Sequence, residues 1–215
     1  MKDLLIIDAD GHINEPSGEL KRRMAPQFHD FEPAPIAGSH VWDRYLGGTV
    51  GKMTDCDPRV QVQDMDVEGI DVQVIFPSGL SLSSWKNAAA ATEHARVYNE
   101  WLAEFCSANP SRLKGVAQVA LQDIPGAIKE IRRAVEELGH VAAMMPTNVL
   151  DQDIGERQFW PFYEEVERLG VALAVHGGIN SSERMFGRFN RSFIHVHTVA
   201  FPFECMTAVA GLIYA

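Results

Sequence analysis

The stretch Ile6–Pro16 reads IIDADGHINEP and sets Asp8, Asp10, His12 and Glu15 immediately after an apolar run. Asp10 and His12 are two apart, a spacing that points both side chains to one face of an extended strand, with Asp8 on the same face further back. A carboxylate oxygen and an imidazole nitrogen converging in this way make half of a divalent metal site. His176 offers the other half. It ends the apolar run Val171–Val175 and is followed by Gly177 and Gly178, which let backbone approach a ligand closely. Together Asp10, His12 and His176 form a mixed nitrogen and oxygen set suited to zinc, taken as the first choice, or manganese. Each has a plain structural alternative: a turn cap for Asp10, a hydrogen-bonded histidine for His12, a core position for His176. Their shared location at the ends of buried strands favours the metal.

The elements that must position them alternate. Leu4–Ile7 reads as a buried strand, and further strands are expected over 72–76, 115–121, 141–145 and 171–175. Between them, helices are expected over 58–68, 88–107 and 125–138, and along the face marked by Phe159, Phe162, Tyr163 and Val166. Residues 17–57 carry many prolines and glycines and read as a long irregular insertion. Strands alternating with helices imply parallel βα units, in an open doubly wound sheet or a (β/α)8 barrel. No GxGxxG or GxxxxGK[ST] motif occurs at a strand–helix junction, and the polar residues collect just after the strands. A barrel gathers all its strand C-termini around one mouth, so the barrel is the expected fold.

The totals bound the function. The 215 residues suit one domain, 1–215, and the 46% hydrophobic content supports a real core. A net charge of −10 without any Lys/Arg-rich run argues against nucleic acid or an anionic membrane as partner. Cys56, Cys106 and Cys205 form no CxxC pair, and no long apolar segment is present. The sequence therefore reads as cytoplasmic, with a small molecule as its partner. The apolar segment Cys205–Ala215 has no polar stripe, which predicts a homodimer or larger homo-oligomer.

Several stretches resemble one family. IDADGHINEP, DMDVEGIDVQVIFPS (64–78), YNEWLAEFCSANPSRLKGVAQVALQD (98–123), AVHGG (174–178) and FPFECMTAVAGLIY (201–214) occur in order along the chain. They are similar to the ACMSD-like branch of the amidohydrolase superfamily, amidohydrolase family 2. The resemblance implies a distorted (β/α)8 barrel with one catalytic divalent metal, and a hydrolase or decarboxylase acting on a small carboxylated or aromatic molecule. It makes Asp10 and His12 the first-strand ligands and His176 the fifth-strand ligand. Asp8 then stands behind the ligands, and Glu15 is a mouth residue or a turn cap before Pro16.

Members of that branch carry a further histidine on the sixth strand and an aspartate on the eighth, which cannot be placed before Ala215. The expectation is an incomplete barrel of about five βα units, with its catalytic residues lying further on. The alternative is an inactive truncated barrel serving as a metal-binding or interaction module. Arg184 and Arg188, in the loop after His176, are candidate clamps for a substrate carboxylate. Trp85, Asn148 and His197 are candidate mouth residues, and Trp42 and Tyr45 candidate covers. Cys205 and Met206 are expected in the core.

Overall fold

The computed structural model describes residues 4–13, 15–30, 56–77, 82–177 and 196–215, with only the backbone of Val196 and His197. Its frame is a five-stranded sheet built from β1 (Ile7–Ile13), β2 (Val72–Pro77), β3 (Leu113–Ala117), β4 (Ala142–Pro146) and β7 (Ala172–His176). Every pairing in it is parallel, in the order β1-β2-β3-β4-β7. A two-stranded antiparallel hairpin, β5 (Asn148–Val149) with β6 (Gln152–Asp153), follows β4. The sheet curls as a half-barrel, and the (β/α) barrel expectation holds.

Helices return the chain between the parallel strands. They are α1 (Ser17–Arg23), α2 (Pro58–Glu68), α3 (Ala88–Cys106), α4 (Ile124–Glu136), α5 (Trp160–Leu169) and α6 (Phe201–Tyr214). Local chemistry sets their ends. Asp57, Asn87 and Asp123 each accept a backbone N–H of the first turn, which satisfies donors that the helix itself leaves unpaired. Gly69 and Gly170 end α2 and α5 in the left-handed region, at φ 75° and 68°.

Side-chain alternation then sorts the strands into two layers. Val74, Phe76, Val116, Ala142, Met144 and Ala174 cluster on the concave face. Ala117, Ala143 and Met145 point the other way, against Ile131, Phe162 and Val166 of α4 and α5. Ile75 and Leu113 meet Tyr98, Leu102 and Phe105 of α3, together with Leu20 of α1 and Met65 of α2.

Four expectations need correction. Leu4, at 84% exposed, begins a run to Ile7 that lies open rather than buried. Leu4–Ile6 precede β1, which begins only at Ile7 and is an edge strand with β2 as its one described neighbour, so apolar composition there does not become burial. The third strand ends at Ala117; Val119, Ala120 and Leu121 are buried in the turn that follows it, not in a strand. Residues 17–23, read as irregular, form α1 around the buried Leu20. Met206 is 65% exposed and Cys205 half-buried, because α6 turns only Glu204 and Ala208 fully inward.

Candidate metal centre

The C-terminal ends of β1 and β7 supply three donor atoms. Asp10 Oδ1 lies 3.6 Å from His12 Nε2 and 3.4 Å from His176 Nε2. One ligand atom from each residue falls within 4.8 Å of the other two. Asp10 is largely exposed and both histidines are part-buried, so the group opens to solvent on its carboxylate side.

The backbone explains this convergence. β1 and β2 pair in register except for an irregularity between Asp8 and Gly11, which falls within the motif. Asp8 braces it: one carboxylate oxygen accepts the Asp10 N–H at 3.1 Å, the other the Gln73 side-chain amide at 2.8 Å. The Gln61 side-chain amide in turn donates to the Gln73 side-chain oxygen Oε1 at 2.7 Å. A Cβ on Gly11 would lie 2.3 Å from Gln73 Cγ, so the glycine between Asp10 and His12 makes room for this brace.

Phe76, which pairs with His12 in register, completes the packing. Its ring stacks on His176 with centroids 5.3 Å apart and planes at 28°. His176 Nδ1 contacts the Gly177 carbonyl at 2.7 Å. A carbonyl can only accept, so Nδ1 carries the hydrogen and Nε2 presents its lone pair towards Asp10. Burial, followed by the neighbouring His176, lowers the pKa of His12; Asp10, the Pro77 carbonyl and Asp8 oppose that shift. Two imidazole nitrogens and one carboxylate oxygen at these separations fit a divalent cation of the zinc or manganese type.

The family model described as Amidohydrolase matches residues 7–211, nearly the whole chain and all three donor residues. The chain belongs to the amidohydrolase family. Among its relatives, a 2-amino-3-carboxymuconate-6-semialdehyde decarboxylase of Dictyostelium discoideum is 29% identical over 120 residues, covering 56% of this chain and 33% of the relative. A gamma-resorcylate decarboxylase of Polaromonas sp. is 33% identical over 128 residues, covering 56% and 38%. Among solved structures, a dihydroxybenzoic acid decarboxylase of Polaromonas sp. with bound manganese and the inhibitor 2-nitroresorcinol aligns with a TM-score of 0.71 at 23% identity, covering 97% of this chain and 60% of that one. A 5-carboxyvanillate decarboxylase of Sphingomonas paucimobilis aligns with a TM-score of 0.78 at 20% identity, covering 98% and 63%. The matches thus span about a third of the length of these curated relatives, and about 60% of the solved neighbours.

The other expected site residues of this amidohydrolase scatter. Glu15 is part-buried just past β1, where its charge adds to burial in raising the Tyr98 pKa. Trp85 is buried against His94, with ring centroids 5.1 Å apart, in a cluster with Leu82, Ala90, Ala91, Ala95 and Ala120. Its burial, at 5% exposed, makes it part of that packed cluster. Asn148 accepts the Asp151 N–H at 3.1 Å and shapes the hairpin turn. Arg184, Arg188, Trp42 and Tyr45 lie outside the described residues, as does the side chain of His197; its backbone is in a π-helical turn.

Sequence reasoning missed Gly11, Gln73 and Phe76. Gln73 carried a signal, a lone amide inside the apolar run VQVIF (72–76). It also missed a small cleft lined by Leu82, Ser83, Gln118, Val119, Met144 and Pro146. Pro146 pairs in register with His176, so the cleft and the donor group share the mouth of the half-barrel.

Proposed function

We propose that this chain carries the metal-binding part of a divalent-metal-dependent decarboxylase acting on a small aromatic carboxylic acid. The observation that carries the reading is the convergence of one donor atom each from Asp10, His12 and His176 within 4.8 Å of one another at the strand ends. Relatives named as decarboxylases of gamma-resorcylate, and solved neighbours named for dihydroxybenzoate and carboxyvanillate, support decarboxylation over hydrolysis. Manganese is preferred to zinc, because the dihydroxybenzoic acid decarboxylase neighbour holds manganese.

Asp10, His12 and His176 would hold the cation. When bound, it supplies positive charge and Lewis acidity to a carboxylate and an adjacent hydroxyl. The chain's own side chains prepare the rest. The carbonyl of Gly177 fixes the tautomer of His176. The flat face of Phe76, with Val116 and Met144 beside it, gives an aromatic ring an apolar surface and excludes water there. Ser83 and Gln118 place polar groups in the cleft, suited to ring substituents.

The test combines two measurements on the whole chain. Mn2+ titration followed by electron paramagnetic resonance is expected to show one bound ion. CO2 release from 2,6-dihydroxybenzoate or 5-carboxyvanillate is expected to depend on that ion. Cleavage of esters or lactones without CO2 release would overturn decarboxylation, and no ion uptake would overturn the metal centre.

We further propose self-association in a reducing, cytoplasmic setting. Phe203, Met206, Ile213 and Tyr214 expose an apolar strip on α6, and Leu4–Ile7 another leading into β1. The three cysteines are free thiols, and no helix among the described residues is long and apolar enough to cross a membrane. Light scattering at micromolar concentration is expected to give a mass above one chain; a monodisperse monomer would refute it.

A further inference from the structure

The helix α6 is apolar over most of its length, yet its one acidic side chain, Glu204, is only 4% exposed. Burying a carboxylate is costly unless hydrogen bonds compensate it. The Thr147 hydroxyl donates to Glu204 Oε2 at 2.9 Å. Thr147 directly follows Pro146, the residue that pairs with His176 across β4 and β7. The bond therefore ties the first turn of α6 to the strand beside the metal centre.

The same turn presses on the residue after His176. A Cβ on Gly177 would lie 2.6 Å from the Phe201 ring and 3.6 Å from Cys205 Sγ, so α6 packs directly on the Gly177 backbone. The carbonyl of Gly177 is the group that receives the Nδ1–H of His176. A continuous path thus runs from Glu204 through α6 and Gly177 to Nδ1 of His176, whose other ring nitrogen, Nε2, faces Asp10.

We propose that Glu204 is a positioning residue for the metal centre. Anchored by Thr147, it holds α6 against Gly177, so that the Gly177 carbonyl keeps His176 in its Nδ1–H tautomer with Nε2 aimed at Asp10. This rests on the reading of His176 as a ligand. It goes beyond that reading by assigning a role to a buried acid on a different element. Outer partners that orient a ligating histidine characteristically govern metal affinity without touching the metal.

The test reads the tautomer directly. In metal-free protein with 15N-labelled histidine, NMR of wild type is expected to show His176 protonated at Nδ1. Glu204→Met and Thr147→Val, which remove the bond from either side, are expected to give a mixture of tautomers. Both should also weaken Mn2+ binding by about 10- to 100-fold. Glu204→Gln keeps an acceptor for Thr147 and should restore the wild-type tautomer, with Mn2+ affinity within about threefold of wild type. If Glu204→Met does not fold, Thr147→Val decides. A folded Thr147→Val or Glu204→Met protein with an unchanged His176 tautomer would overturn the proposal, even if its melting temperature fell. Wild type that binds no Mn2+ would defeat the metal reading instead, and the metal-free tautomer measurement would still decide the role of Glu204.

Discussion

His12 and His176 meet edge to face, their ring centroids 5.1 Å apart and their planes at 69°, although they end the two outermost strands of the parallel sheet. The curl of the sheet brings them together, so the donor group belongs to the tertiary fold and not to one local motif. A hierarchy of effects follows. Asp10→Asn and His176→Asn remove a donor or its charge. Asp8→Ala removes only the brace behind Asp10. The brace variant is expected to lose about 10- to 100-fold in Mn2+ affinity, and the two donor variants more. Paramagnetic resonance titration of the three proteins gives the order; an equal or larger loss in Asp8→Ala would mean that the donors are misassigned.

Gly11 offers a sharper probe, because it binds nothing itself. An added methyl would meet Gln73 Cγ at 2.3 Å and Cδ at 2.6 Å and push the amide off Asp8. Gly11→Ala is expected to destabilise the fold by about 1–3 kcal/mol through overpacking and to weaken metal binding. Gln73→Ala clears the space. In a double-mutant cycle by urea denaturation, the pair should therefore cost less than the two single changes added together. Strict additivity would show that Gly11 is crowded by something other than Gln73.

These residues also show what was legible beforehand. The two-residue spacing of Asp10 and His12 and the placing of His176 after an apolar run follow from strand geometry, which is local and periodic. The brace does not. Gln73 reaches Asp8 only because β2 lies beside β1 in one particular register, and no property of either segment states that register. Leu4–Ile7 failed for the complementary reason. Four apolar residues show that a segment is suited to burial, while burial itself depends on which strands flank it. Val119–Leu121 misled in a third way, since a turn packed under α4 demands apolar side chains as much as a strand does.

Acid stability should carry the mark of His94. Its imidazole is buried beside Trp85, and burial depresses its pKa to about 4, against the side-chain contact with Gln118 that pulls it up. Above the ordinary histidine value both folded and unfolded chains hold it neutral. Between that value and about 4, the unfolded chain takes up a proton that the folded chain refuses, so stability falls as the pH falls. The loss reaches about 3 kcal/mol by pH 4 and levels off below it. Urea denaturation from pH 7 to pH 4 should show that slope in wild type and a smaller one in His94→Leu. The same slope in both proteins would place the acid sensitivity elsewhere.

The cleft beside the metal centre makes the last prediction, which separates ring binding from metal binding. One wall is the 3-10 turn Leu82–Ser84, and that turn is held from outside the cleft. The side-chain amide of Gln122 donates to the carbonyls of both Leu82 and Trp85, at 2.5 and 3.0 Å, while the Leu150 N–H donates to Ser83 O at 2.9 Å. Gln122→Met keeps the side-chain length and deletes both amide bonds, at an expected cost of about 1–3 kcal/mol in stability. Leu82 and Ser83 then lose their fixed distance from Met144 and Pro146 across the cleft. No donor to the metal is touched by this change. A flat ring analogue such as 2-nitroresorcinol should bind about tenfold more weakly, the equivalent of about 1.4 kcal/mol, while Mn2+ affinity stays at its wild-type value. Calorimetric titration with each ligand in turn makes the comparison. Parallel loss of both would show that the turn supports the metal centre as a whole, and unchanged analogue affinity would remove the Leu82–Ser84 wall from the binding site.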